Sequence, residues 1–303
     1  MTHESDILVD RRRLKRGIVL WRVLAVVALV AVVVAVFARF DDLALRDHVA
    51  RLSVEGLIVA DRAVIEALAD VADDPRARAL IVRVDSPGGT FVGGESLYRA
   101  LRRVAEQKPV IAVMGTVATS AGYMTAIAAD RVFAHEGTIT GSIGVMLQTT
   151  DITGLLDKLG VSAEAIKSTP LKATPSPLEP LTDEARAAAK AIIDDMHALF
   201  TAMVAERRSL DAERARKLAD GRVYSGRQAL QYDLVDAIGG ETEARAWLAE
   251  TKGISERLPV RDVEAERPGE EWLPDIDSLT GKMFFSERLI LDGLVSVWHP
   301  DRR

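Results

Sequence analysis

The chain has 303 residues, 48% hydrophobic and 28% charged, with 39 Lys/Arg, 45 Asp/Glu, five His and no Cys. Lacking cysteine, it can hold no disulfide framework, thiol nucleophile or thiolate metal site, and it is indifferent to redox compartment. The histidines (His3, His48, His135, His197, His299) form no HExxH or other close pair, and the net charge is −6, so a zinc enzyme and a nucleic-acid binder are both disfavoured.

Residues 1–16 form a basic N-terminus with Arg11, Arg12, Arg13, Lys15 and Arg16. Gly17 to Ala38 is a continuous apolar run whose one charge, Arg22, stands near its start. A spanning helix needs roughly 20 apolar residues, and Arg22 can snorkel to the near interface. A buried core helix would need a polar face, which this run lacks. The basic side precedes it, and Asp41 and Asp42 follow. The positive-inside bias therefore predicts residues 1–16 in the cytoplasm and the rest outside it. Val36-Phe37-Ala38 could be a signal-peptide cleavage site, but the run exceeds the usual h-region, so an uncleaved anchor over 17–38 is expected. A linker over 39–51, a globular domain over 52–250 and an acidic tail over 251–303 complete the expected organisation.

Within the domain, 52–59 reads as a strand and 61–72 has helical spacing. The apolar run 79–84 reads as a strand buried on both faces, ending at a Gly-rich turn over 85–94. An amphipathic helix with Leu97, Leu101 and Val104 stops before Pro109. The next strand is 110–114, followed by a small-residue helix over 119–129 and a short strand over 131–134. Strands alternating with helices at this spacing imply right-handed βαβ units and a parallel sheet, an α/β fold. Residues 170–181 hold four prolines and are expected to be extended. Thr182 is placed to cap a long helix over about 183–208, with Asp183 and Glu184 in its first turn. A further helix reaches Gly221, and 221–240 closes the compact part. Beyond about 254 a loose tail is expected, and its end, 283–298, is apolar enough to lie on a membrane or dock on the domain.

Two segments carry candidate chemistry. Ser120 lies among small residues directly after a buried strand. A serine at a strand-to-helix turn projects its hydroxyl past the sheet, where the first helical amides are free to donate; the rival reading is an N-cap serine. Ser86-Pro87-Gly88-Gly89 could bring a backbone N–H close to a developing oxyanion, or could be a plain tight turn.

Taken together, the order of these segments resembles the Clp protease/crotonase superfamily. More closely, the chain is similar to the short, single-repeat form of the signal peptide peptidase A family. The resemblance rests on DSPGG (85–89), TSAGYM (119–124), TGSIGV (140–145), KSTPLK (167–172) and GRVYSGRQALQYDLVDAIG (221–239). It covers about residues 52–245 and includes the membrane anchor. It implies a Clp/crotonase-like fold of repeated βαβ units. It also implies Ser120 as nucleophile, Lys172 as general base, Ser142 hydrogen-bonded to that lysine, and an oxyanion hole from the N–H groups of Gly89 and Ala121. No metal or cofactor is implied. The implied enzyme is a Ser-Lys serine endopeptidase on the outer side of a bacterial cytoplasmic membrane. It would degrade remnant signal peptides and other unfolded hydrophobic segments. The family forms homo-oligomeric rings, and in its short form serine and lysine come from neighbouring subunits.

The chemistry needs a neutral lysine. A solvated lysine has a pKa of about 10.4, and a drop of roughly 3 units corresponds to about 4 kcal/mol. Lys167 is the rival base, and only the resemblance selects Lys172. A Ser-His-Asp site fails because Val145 stands where Clp-type proteases place histidine, while His135 comes too early and reads as a surface loop residue. Asp85 and Asp130 read as turn caps. An acyl-CoA enzyme of the crotonase type and a membrane scaffold without turnover are the competing functions.

Overall fold

A computed structural model of the chain describes residues 21–22, 24–30, 46–265 and 295–297. The chain divides into two compact units, Met1–Asp47 and His48–Arg303. In the first, the described residues 21–22 and 24–30 are helical and exposed. Among the described residues no helix is long and apolar enough to cross a membrane. The remainder of the expected anchor over 17–38 lies outside the described residues.

The second unit opens with β1 (His48–Ile58), α1 (Arg62–Asp73), β2 (Ala77–Thr90), α2 (Phe91–Ala105), β3 (Val110–Thr119), α3 (Ala121–Ala126) and β4 (Arg131–Ala134). There follow β5 (Ile139–Gly141), α4 (Thr153–Leu159), α5 (Asp183–Arg207), α6 (Ala212–Leu218), β6 (Val223–Ser225) and α7 (Gly226–Gln231). β7 (Ala237–Ile238), α8 (Glu241–Lys252), β8 (Val260–Asp262) and β9 (Val295–Val297) complete it. One sheet runs β6-β5-β3-β2-β1-β8, with β4 beside β3, β7 beside β4 and β9 against β2. The ladders joining β1, β2, β3, β4, β5, β7 and β8 are parallel, whereas β6 and β9 pair antiparallel. This is the expected α/β architecture, but its sheet is mixed where a parallel one was expected, because β6 and β9 join antiparallel.

The unbroken apolar run in β2 follows from burial on both faces. Leu80, Val82 and Val84 pack with Leu68 of α1, Leu97 and Leu101 of α2, Met124 of α3 and Phe200 of α5. Ala79 and Ile81 face the other way, with Ile111, Phe133 and, from α8, Ala244 and Leu248. The expected Thr182 cap is present, its hydroxyl accepting from Ala185 N–H, and the Thr90 hydroxyl likewise accepts from Gly93 N–H at the start of α2. The far end of α5 is tied to the loop after α3, because the Arg207 guanidinium donates to the carbonyls of Ile127 and Ala129 at 3.0 and 2.9 Å.

Several boundaries differ from expectation. β1 begins at His48, inside the expected linker, because its first residues pair with β2 and with β8. The loose tail expected beyond 254 is corrected by β8, which lies parallel to β1; Arg51 grips Asp262 with two hydrogen bonds of 2.6 and 3.0 Å. The Gly-rich segment is not a tight turn. β2 continues through Ser86-Pro87-Gly88-Gly89 to Thr90, after register shifts at Glu55/Leu57 and Val84/Ser86. Such bulges let a strand re-aim without ending. Of the apolar segment 283–298, residues 295–297 dock on the domain as β9; the rest lies outside the described residues.

Candidate active site

β3 splays. Its Ile111–Met114 stretch pairs with β4, whereas Val117, Ala118 and Thr119 pair with β5. The second half of β3 thus leaves the β4 line and ends at Ser120. There the chain reverses, with φ 58° and ψ −119°. An L-residue held in so sparsely populated a region stores about 1–3 kcal/mol of strain, which the surroundings must offset. They do so by hydrogen bonds: Ser120 N–H donates to Gly141 O at 2.8 Å, and Met124 N–H donates to Ser120 O at 2.9 Å. The Ser120 side chain makes no capping bond to α3, so the N-cap reading fails. A strained serine at the tip of a buried strand, with a helix starting at the next residue, is the geometry of a nucleophile elbow. Ser120 is 1% exposed and Ala121 0%.

The end of β2 lies against this elbow. A Cβ on Gly122 would sit 2.9 Å from Ser86 O, and one on Gly94 would sit 2.9 Å from the Ala121 Cβ. At Gly89 a Cβ would fall 1.8 Å from Ile58 O, so glycine alone lets β2 and β1 come this close. Three hydroxyls hold the segment. Ser86 donates to Gly56 O at 2.6 Å, Thr119 donates to Pro87 O at 3.0 Å, and Thr140 donates to Ala118 O at 2.7 Å. The sequence reading placed these residues inside its motifs but did not assign them this positioning role. Their one signal there is a hydroxyl inside an otherwise apolar strand.

Ser142 follows the residue that anchors Ser120. Its φ is 50° and its N–H donates to Arg222 O at 2.8 Å. Ser120, Ala121, Ser142 and Gly89 are therefore gathered at one place, where the ends of β2, β3 and β5 meet. Lys172 is not among them. It is exposed in a segment without helix or strand, and its ammonium has no hydrogen-bond partner among the described residues. Lys167, the rival base, is paired with Glu179. His135 is exposed, as expected. Asp85 and Asp130 accept from the N–H groups of Val117 and Val110, each at 3.0 Å, and so act as caps.

The surroundings are dry. Tyr123, one turn into α3, is wholly buried; burial pushes its phenol pKa up, and its hydroxyl donates to Leu234 O at 2.9 Å. Beside Ile58, the partner of Gly89, a groove of about 200 Å³ is lined by Leu52, Val54, Leu57, Val64, Ile65 and Leu97, among others. Among the described residues no cluster of His, Asp and Glu could hold a metal ion. What the arrangement offers chemically is a buried hydroxyl at a strained turn, with glycine backbone and an apolar groove beside it.

Several known proteins are similar to this chain. A Synechocystis sp. protein that carries a protease name is 38% identical over 226 residues, which is 74% of this chain and 81% of that protein. The chloroplastic serine protease SPPA of Arabidopsis thaliana is 34% identical over 248 residues, 80% of this chain but 36% of its own length. A solved structure of a membrane-bound stomatin-specific protease superposes with a TM-score of 0.49 at 14% identity, over 73% of this chain and 99% of that one. Residues 102–255, from the end of α2 to just past α8, match Peptidase family S49; the chain belongs to this family of serine proteases.

Proposed function

We propose that the chain is a membrane-anchored serine endopeptidase that cuts extended apolar peptides through an acyl-enzyme. Ser120 is the nucleophile and Lys172, neutral when desolvated, takes its proton and returns it to the leaving amine. Ser142 holds the lysine. The N–H groups of Gly89 and Ala121 receive the oxyanion, where each donor is worth about 2.7–4 kcal/mol. The observation that carries this reading is the strained Ser120 turn beside Gly89, because backbone strain of that size persists where it serves a site.

The general base comes from a second copy. Within one chain Lys172 is exposed, and a solvated ammonium near neutrality cannot accept a proton. The segment around it also presents apolar side chains to solvent: Leu155 at 57%, Leu159 at 67%, Val161 at 50% and Ile166 at 99%. Such a run is expected to be covered by a partner. A closed ring of copies would deliver each Lys172 to a neighbour's Ser120 and desolvate it there. The 17–38 segment anchors the assembly, with the domain outside the cytoplasmic membrane, so remnant signal peptides and unfolded apolar segments are the natural substrates.

The test uses the full chain in detergent with casein or an apolar reporter peptide. Ser120→Ala and Lys172→Ala should each abolish hydrolysis, and mixing the two before assembly should restore part of it. A serine-directed phosphonate should label Ser120, read by mass spectrometry. Equal hydrolysis by wild type and both variants would refute the reading.

A further inference from the structure

From Gly160 to Ala173 every residue is exposed with one exception, Lys167, whose side chain is 15% exposed. Its neighbour Ile166 is 99% exposed. That inverts the usual order, in which isoleucine is buried and lysine stays in water. A charge is drawn inward only where a partner meets it, and the Lys167 ammonium donates to the Glu179 carboxylate. These two residues stand at the ends of a loop whose middle holds Lys172. Inside the loop the bonds are short-range. Lys172 N–H donates to Thr169 O at 3.1 Å, the Thr174 hydroxyl donates to Leu171 O at 3.0 Å, and Ala173 between them takes φ 57°. They shape the turn that carries Lys172 but do not span the loop. Ile152 N–H donates to Pro177 O at 3.0 Å, which fixes the later arm to the start of α4. Among the described residues, the Lys167–Glu179 pair is the hydrogen bond that ties the earlier arm to the later one.

We infer that the Lys167–Glu179 ion pair is a latch at the neck of this loop, and that Lys167 is a positioning residue for Lys172 and not its rival as base. A compact loop whose ends are held together keeps its apex in few conformations. Pro170, Pro175, Pro177 and Pro180 each lock one backbone angle in the arms, so one fastening at the neck restrains the whole loop. An apex already ordered loses less freedom when a neighbouring copy closes over it. Glu179 acts through Lys167, and both act on catalysis through Lys172. This deepens the protease reading, on which it rests for the role of Lys172.

The test uses the full chain in detergent and three variants: Lys167→Gln, Glu179→Gln, and the reversed pair Lys167→Glu with Glu179→Lys. Each single change opens the latch and leaves Lys172 in place. Since a misplaced catalytic group can cost about 10²-fold, kcat for an apolar reporter peptide should fall at least tenfold. KM should stay within about twofold, because ground-state binding is not what the latch serves. The reversed pair keeps the same reach, one side chain lengthening as the other shortens, and should recover kcat to within about threefold of wild type. Recovery also excludes Lys167 as the base, for that variant has no lysine there. Hydrogen exchange read by mass spectrometry over residues 168–178 follows the loop without using catalysis. Exchange should quicken in both single variants and slow again in the reversed pair. Wild-type kcat in either single variant, no recovery in the reversed pair, or exchange that does not respond overturns the inference. Absence of Ser120-dependent hydrolysis from the wild type would instead defeat the protease reading, and the exchange result would still decide whether the pair fastens the loop.

Discussion

Replacing Gly89 by alanine separates the catalytic from the structural role of β2. The added Cβ would lie 1.8 Å from Ile58 O, 2.5 Å from its carbonyl carbon and 2.6 Å from its nitrogen. All three atoms are backbone, so no side chain can swing aside. Cβ contacts essentially never fall below 3.0 Å, so β1 and β2 must part where Ile58 meets Gly89. Overpacking of this kind costs about 1–3 kcal/mol. For a domain this size that lowers Tm by about 2–4 °C per kcal/mol. The effect on chemistry should be larger. An oxyanion donor works only at about 2.7–3.1 Å from the developing charge, and a displacement near 1 Å can cost about 10²-fold in rate. Gly89→Ala should therefore lose about two orders of magnitude in kcat/KM while remaining folded. Peptide hydrolysis and a thermal melt on the same preparation decide it. A kcat/KM within about threefold of wild type, at an unchanged Tm, would refute the assignment of Gly89 and the close β1–β2 approach together.

Ser120→Gly should abolish hydrolysis yet raise Tm, because glycine adopts φ 58° and ψ −119° without the roughly 1–3 kcal/mol of strain that serine carries there; a lower Tm would contradict the strained-turn account. Tyr123→Phe strands the buried Leu234 carbonyl now bonded at 2.9 Å, so a loss of about 1–3 kcal/mol is expected in denaturant unfolding, with hydrolysis per folded molecule retained. Lys172→Arg should be inactive even near pH 10, since a guanidinium does not release its proton in proteins; measurable Ser120-dependent turnover in this variant would remove Lys172 as the base.

Much of the fold was legible because its signals are local. The doubly buried run at 79–84 and the Thr182 cap each impose a backbone state through neighbouring residues alone, and the structure keeps them; the proline-rich stretch at 170–181 is non-helical as expected but winds through turns, with Ala173 at φ 57°, instead of running extended. β8 was not legible. Residues 260–262 read as tail because a three-residue edge strand has too little pattern of its own; the open edge of β1, some 200 residues earlier in the chain, makes it a strand. The Ser86–Gly89 segment misled for a related reason. Two glycines and a proline favour a turn locally, whereas pairing with Leu57 and Ile58 holds them extended.

The site divides in the same way. Residue order marked Ser120 and the Ser86–Gly89 segment as candidates, each with a plain structural rival, and family resemblance alone added Ser142 and Ala121 and supplied every role. That they converge is a property of packing: the splay of β3, the Ser120–Gly141 hydrogen bond and the contact of Gly122 with Ser86 O are long-range events that short patterns cannot encode. The same splay leaves an edge of β2 for β9. Periodicity can name the strands, but which backbone edge stays open depends on where each strand turns away from its neighbour.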